Sequence, residues 1–273
     1  MLIVCAFVFG ALIGSFLNVV IYRLPLMMER AWQAEIEANA HADNPEWGPP
    51  QRDAFNLLTP RSRCSQCGHT ITALENIPLV SWVVLRGRCS ACKTKISARY
   101  PIVELITGVG FALCAWKFGA SYQALAAMAL IAALVALTGI DLDTQLLPDQ
   151  ITLPLMWLGL LINVGGLFVS LQDAVIGAAA GYLILWSVYW LFKLLTGREG
   201  MGYGDFKLLA ALGAWFGWQS LPMLLLISSV AGAMIGIALI AFQGKDRRTA
   251  IAFGPYLAIA GIAMLFIGHL LRL

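Results

Sequence analysis

Long apolar runs separated by short polar breaks dominate the chain, and the runs are too long to be half-buried strands. Apolar windows fall at Leu2–Tyr22, Ile102–Phe118, Ala124–Ile140, Ile151–Leu171, Ala174–Leu195, Phe206–Trp218, Leu221–Phe242 and Ile251–Leu271. Most approach the roughly 20 residues that carry an α-helix across a bilayer. The sixth is short and has Lys207 near its start. The pattern predicts an all-α polytopic membrane protein of about eight transmembrane helices, with one soluble domain between helices 1 and 2. The first window has no basic residue before it and no small-residue cleavage site after it, which predicts a retained helix and no cleaved leader.

Composition agrees: 60% of the residues are hydrophobic and 12% charged, against about 25% charged in soluble domains. A formal charge of +3 is too small to argue for a nucleic-acid partner. Its distribution says more. With eight alternating spans, the breaks on one side hold Arg23 to Arg99, then Lys193, Arg198 and Lys207, then Lys245, Arg247 and Arg248. Of the 18 Lys and Arg residues, the other side holds Lys117 and Arg272 alone. The positive-inside rule then puts the large break in the cytoplasm and both termini outside. The predicted organisation is a first transmembrane helix over 1–22, a cytoplasmic domain over 23–100 and a seven-helix membrane core over 101–273.

Within that domain, Leu26–Pro60 is acidic, with Glu29, Glu35, Glu37, Asp43, Glu46 and Asp53 against Arg30 and Arg52. Met27–Ala40 is rich in helix formers, whereas Asn44–Pro50 holds prolines and a glycine and predicts a loop. A solvated face is the simplest reading of the acids. The second half, Arg61–Tyr100, is basic, and its cations face either solvent or anionic lipid headgroups. It also contains two pairs, Cys64-x-x-Cys67 and Cys89-x-x-Cys92, separated by slightly more than the usual zinc-ribbon interval of about 15 to 20 residues. Four thiolates suit a tetrahedral structural zinc with no position open for catalysis. Disulfides are the alternative, but they are rare in the reducing cytoplasm. A domain this small would draw much of its folding free energy from the metal. His69 reads as a bystander, and Cys5 and Cys114 as small buried hydrophobes within spans.

Carboxylates beside apolar spans are costly and need a reason. Asp141, Asp143 and Asp149 follow the third span; Asp205 closes Gly200-Met-Gly-Tyr-Gly-Asp205 before the sixth. On the topology above, both clusters meet one membrane face. Two close carboxyl groups sharing a proton can activate water, one as base and the other as acid. Alternatively Asp205 merely caps its helix and the Asp141 cluster forms a turn. Helix-end fields, negative at Asp141 and positive at Asp205, would bias a shared proton towards Asp141. Gly202 and Gly204 lack the strand and the G-K-[ST] of a phosphate loop, so they more plausibly allow close backbone approach. Glu104, following Pro101, reads as a first-turn cap of the second span, and Ser15 and Asn18 as interhelical hydrogen-bonding residues.

Taken together, the motifs resemble the type IV prepilin peptidases. The likeness covers essentially the whole chain and rests on Gly14-Ser-Phe-Leu-Asn-Val-Val-Ile-Tyr-Arg-Leu-Pro25, the two cysteine motifs with Glu75-Asn-Ile-Pro78, Ile140-Asp-Leu-Asp with Leu147-Pro-Asp149, and Gly202-Tyr-Gly-Asp205. The resemblance implies a bacterial inner-membrane G-x-G-D aspartic protease, similar in type to presenilin, with Asp141 and Asp205 catalytic. Asp143, Asp149, Gly202, Gly204, Lys207 and Glu104 are supporting candidates. It implies cleavage of a short basic leader from prepilins or pseudopilins, followed by N-methylation using S-adenosylmethionine. Two rivals remain: a proton-coupled transporter with a zinc-ribbon appendage, and a non-enzymatic membrane scaffold.

Overall fold

A computed structural model describes residues 1–42, 48, 54–198, 200–243 and 252–268. Asp43, Glu46, Arg52, Asp53, Lys245, Arg247, Arg248 and Arg272, with most of the Asn44–Pro50 loop, lie outside them. The described residues are helical apart from turns and two isolated β-bridges. They form two compact units, essentially Ile3–Ala112 and Leu113–Leu273.

In the first unit α1 (Leu2–Ala40, 39 residues) runs on through Tyr22 and Pro25, so the predicted span and the predicted polar helix are one element. α1 and α3 (Arg99–Phe118) approach through glycine: a Cβ on Gly10 would lie 2.8 Å from Thr107 O, and one on Gly14 2.7 Å from Glu104 Cα. Small residues permit such close backbone packing in lipid, where Leu has no advantage over a tail. Asn18 Nδ2 donates to Gly14 O (3.2 Å) and to Tyr100 O (3.1 Å), the interhelical role expected of it. Past the apolar run, buried Arg23 donates to Asn56 O and Pro60 O, and Arg23 and Arg30 lie over Phe55. Between α1 and α3 stand α2 (Val80–Val84) and the two cysteine turns. Cys114 is buried as expected, but Cys5 is exposed.

The second unit contains α4 (Tyr122–Thr144), α5 (Asp149–Val164), α6 (Leu171–Thr196), α7 (Tyr203–Phe216), α8 (Leu221–Gln243) and α9 (Gly254–Ile267). Every predicted window thus coincides with a helix, although α5 stops at Val164 instead of Leu171 and α9 starts at Gly254. Among the described residues, five helices are long and apolar enough to cross a membrane, α5 and α9 being shorter apolar helices, and the chain is a multi-pass membrane protein. α7, with 14 residues, reaches only about 21 Å. Its core sits deepest: Phe206 and Leu208–Phe216 are buried almost without exception. α6 reaches it across Gly177, Gly181 and Gly213, where backbones touch so closely that any Cβ would collide. Buried Asn163 of α5 donates to Ala214 O and Trp215 O, capping the end of α7, and accepts from Phe168 N and Val169 N.

Candidate active site and metal centre

α4 begins at Ser121, whose hydroxyl accepts from Ala124 N, and closes at Gln145, whose φ of 55° lets its amide reach Asp141 O. The helix therefore extends past the predicted Ile140 and keeps Asp141, 4% exposed, in its last turn. Asp143, two residues on and so on the opposite side of the helix, is exposed. Asp205, 7% exposed, is the third residue of α7. Its carboxylate accepts the amide of Gly202, the residue preceding the helix. That is one arm of a capping box, so Asp205 does cap its helix and is buried as well. The charges of Asp141 and Asp205 act on one another across the site.

Leu147 explains how the two helix ends are brought together. A Cβ on Gly204 would lie 2.7 Å from Leu147 Cβ, and one on Gly254 3.1 Å from Leu147 Cδ2. The turn after Asp141 is thus wedged against the starts of α7 and α9. Gly254 N donates to Asp141 Oδ2 at 3.0 Å, and a Cβ there would lie 2.6 Å from that oxygen. Sequence reasoning missed Gly254; its signal was Gly254-Pro255 opening a span, a helix-start pattern with no side chain to suggest chemistry. Helix-end fields alone therefore do not assign a shared proton, because an amide donor supports charge on Asp141. Tyr189, Tyr203 and Phe206 pack ring to ring at the start of α7, with centroids 5.2 to 5.7 Å apart.

The supporting candidates divide. Gly202 and Gly204 belong to the dyad's geometry. Lys207 Nζ lies 2.6 and 2.8 Å from the Asp149 oxygens, joining the starts of α5 and α7. An exposed pair of this kind contributes about 0–1 kcal/mol. Glu104 is not the first-turn cap that was expected: α3 starts at Arg99, so Glu104 is in the second turn, buried against α1. There it accepts from the Ser15 hydroxyl and from Leu79 N at 2.8 Å.

The cysteines form two matching turns. Cys64 N donates to His69 O and Cys89 N to Thr94 O, both at 2.9 Å, and the residues after the second cysteines, Gly68 and Lys93, have φ of 71° and 60°. Bridges Arg63↔Thr70 and Arg88↔Lys95 close the two loops. All four Sγ atoms lie within 4.8 Å of one another, with Cys64–Cys92 at 3.7 Å and Cys67–Cys89 at 4.0 Å. A tetrahedron of sulfurs about 2.3 Å from zinc has edges of about 3.8 Å, so the donor set fits zinc; a disulfide needs about 2.05 Å. Glu75 joins the turns through Ser90, Thr72 and His69, and these donors, Ser90 foremost, hold its carboxyl at about 2. His69 thus serves as a Glu75 partner outside the thiolate set.

Residues 8–118 match the bacterial peptidase A24 N-terminal domain, and residues 128–237 the type IV leader peptidase family. The second match spans both aspartate clusters. The prepilin leader peptidase/N-methyltransferase of Aeromonas salmonicida (strain A449) is 59% identical over 261 residues, 95% of this chain and 89% of that protein. The chain belongs to the type IV leader peptidase family. Proteins of the same name from Stutzerimonas stutzeri and Pseudomonas aeruginosa are 58% and 54% identical over 265 residues, each comparison covering 97% of this chain and 90% of the relative. No solved structure matches. Among these family members nothing supports a transporter.

Proposed function

We propose that this chain removes the short basic leader from prepilins or pseudopilins at the cytoplasmic face of the bacterial inner membrane, and then N-methylates the new terminus. The observation that carries the reading is the pair of buried carboxylates, Asp141 and Asp205, held together by backbone contacts in a chain whose relatives bear that enzymatic name. One carboxylate takes a proton from water as it attacks the scissile carbonyl carbon. The other protonates the carbonyl oxygen to give a gem-diol; on collapse the C–N bond breaks, the first carboxyl passes its proton to the departing amine, and the second carboxylate takes a proton back from a gem-diol hydroxyl. Burial of both carboxylates limits their contact with bulk water, which strengthens these charge interactions. Gly202 and Gly254 orient the carboxylates, while Asp149 and Lys207 fix the neighbouring helix starts.

Cys64, Cys67, Cys89 and Cys92 hold a structural zinc in the domain over 23–100. With four protein ligands the metal supplies folding free energy and no catalytic position. S-adenosylmethionine supplies the methyl group, and no residue is assigned to it. Cleavage of a prepilin by the purified, reconstituted protein tests the reading: Asp141→Asn and Asp205→Asn should each abolish it, and full cleavage by either variant would refute the dyad.

A further inference from the structure

Among the described residues, the apolar face of the short helix α2 is exposed. Val80, Val83 and Val84, at helical spacing on one side, are 55%, 67% and 72% exposed, and Ile77 beside them is 42% exposed. The opposite side is anchored. Trp82 lies against Gly87, where a Cβ would meet its ring at 2.9 Å, and Trp82 Nε1 donates to Ile96 O. Leu79, which begins the helix, has a φ of 61°. A branched residue takes that conformation only when its surroundings impose it, and here Glu104 Oε2 accepts its amide.

That hydrogen bond sets the depth of α2. Glu104 lies in the second turn of α3, a membrane-capable helix whose apolar run continues to Phe118. On α1 it faces Gly14 and Ser15, before the apolar run ends at Tyr22. Measured on α3, the start of α2 therefore stands within the first turns of the apolar run; measured on α1 it stands seven residues, about 10 Å, short of the end of the run. Both put it no higher than the boundary of the hydrocarbon. Immediately after α2 come the exposed cations Arg86 and Arg88.

We propose that α2 is an interfacial element: Ile77, Val80, Val83 and Val84 seat in the headgroup–acyl boundary of the membrane that α1 and α3 cross, with Arg86 and Arg88 against anionic headgroups. An apolar face rimmed by cations is the pattern that binds such surfaces. The inference rests on the membrane character of the chain and is independent of the protease reading. It gives Glu104 a positioning role, setting the height at which the metal-binding turns stand above the bilayer.

The test uses the full-length, zinc-loaded protein in vesicles of phosphatidylcholine with a minority of phosphatidylglycerol. A small fraction of the lipid carries a diazirine in its acyl chain. After photolysis, the tryptic peptide containing Val80–Arg86 should carry lipid adducts in the same yield range as peptides from α3. Val83→Ser with Val84→Ser, exposed positions that folding does not need, should lower that yield at least threefold, with zinc content unchanged. Omitting phosphatidylglycerol should lower it as well. Adducts on α1 and α3 but none on the α2 peptide would overturn the proposal. So would loss of the α2 adducts on adding a prepilin, which would make the patch a protein-docking site.

Discussion

Asp141 and Gly254 show how little separates a well-placed carboxylate from a misplaced one. The Gly254 amide reaches Asp141 Oδ2 because no side chain intervenes, and Gly254→Ala would put a methyl group 2.6 Å from that oxygen. A displacement of about 1 Å at a reacting group can cost about 100-fold. Gly254→Ala should therefore lower kcat for leader cleavage by about 10- to 100-fold with KM nearly unchanged, as steady-state kinetics on reconstituted protein would measure. On the proposed mechanism Asp141→Asn and Asp205→Asn remove the acid and base themselves, and losses of about 100- to 10,000-fold or more are expected. Asp143→Asn, at an exposed position, should cost less than about threefold by the same assay, well short of an acid–base loss.

Among the elements, the cysteine turns and the α6–α7 pair make separate demands. Removing zinc, or changing Cys64 or Cys89 to Ser, should loosen the segment around the turns, read as faster amide exchange there, and should damage methylation at least as much as cleavage. Intact turns in active protein with no zinc would contradict this. Gly177→Leu would drive a side chain into the backbone at Gly213, and overpacking of this kind costs about 1–3 kcal/mol or more; a lowered thermal midpoint would register it. The helices were legible because each is a sustained apolar run, and the metal turns because cysteine spacing is local. The ends were not. α1 continues through Tyr22 and Pro25 into the polar stretch, and Glu104 acts one turn deeper than Pro101 suggests. Gly254 was illegible because its contribution is a main-chain amide meeting a carboxylate 113 residues away. No periodicity records such a contact.

For the whole molecule, the charge asymmetry makes predictions for orientation and encounter. Reporter fusions should place residues 23–100 in the cytoplasm and both termini outside. Glu29 and Glu35 are exposed on the polar extension of α1, where they and Glu37 can attract a basic leader. Neutralising all three should raise KM at low ionic strength, and the difference should shrink at about 0.5 M salt, where the Debye length is only a few ångströms. The burial of α7 bears on how the protein reaches its membrane at all. Too short to span alone, and bearing Asp205 and Lys207 in its first turns, α7 is a poor substrate for stepwise release from a translocon into lipid. Its glycine-lined partner α6 ends at Thr196, only a short turn before Tyr203. The two should therefore integrate as one hairpin during biosynthesis. In a glycosylation-mapping assay, an isolated α7 segment should stay out of the membrane, whereas the α6–α7 segment should enter it.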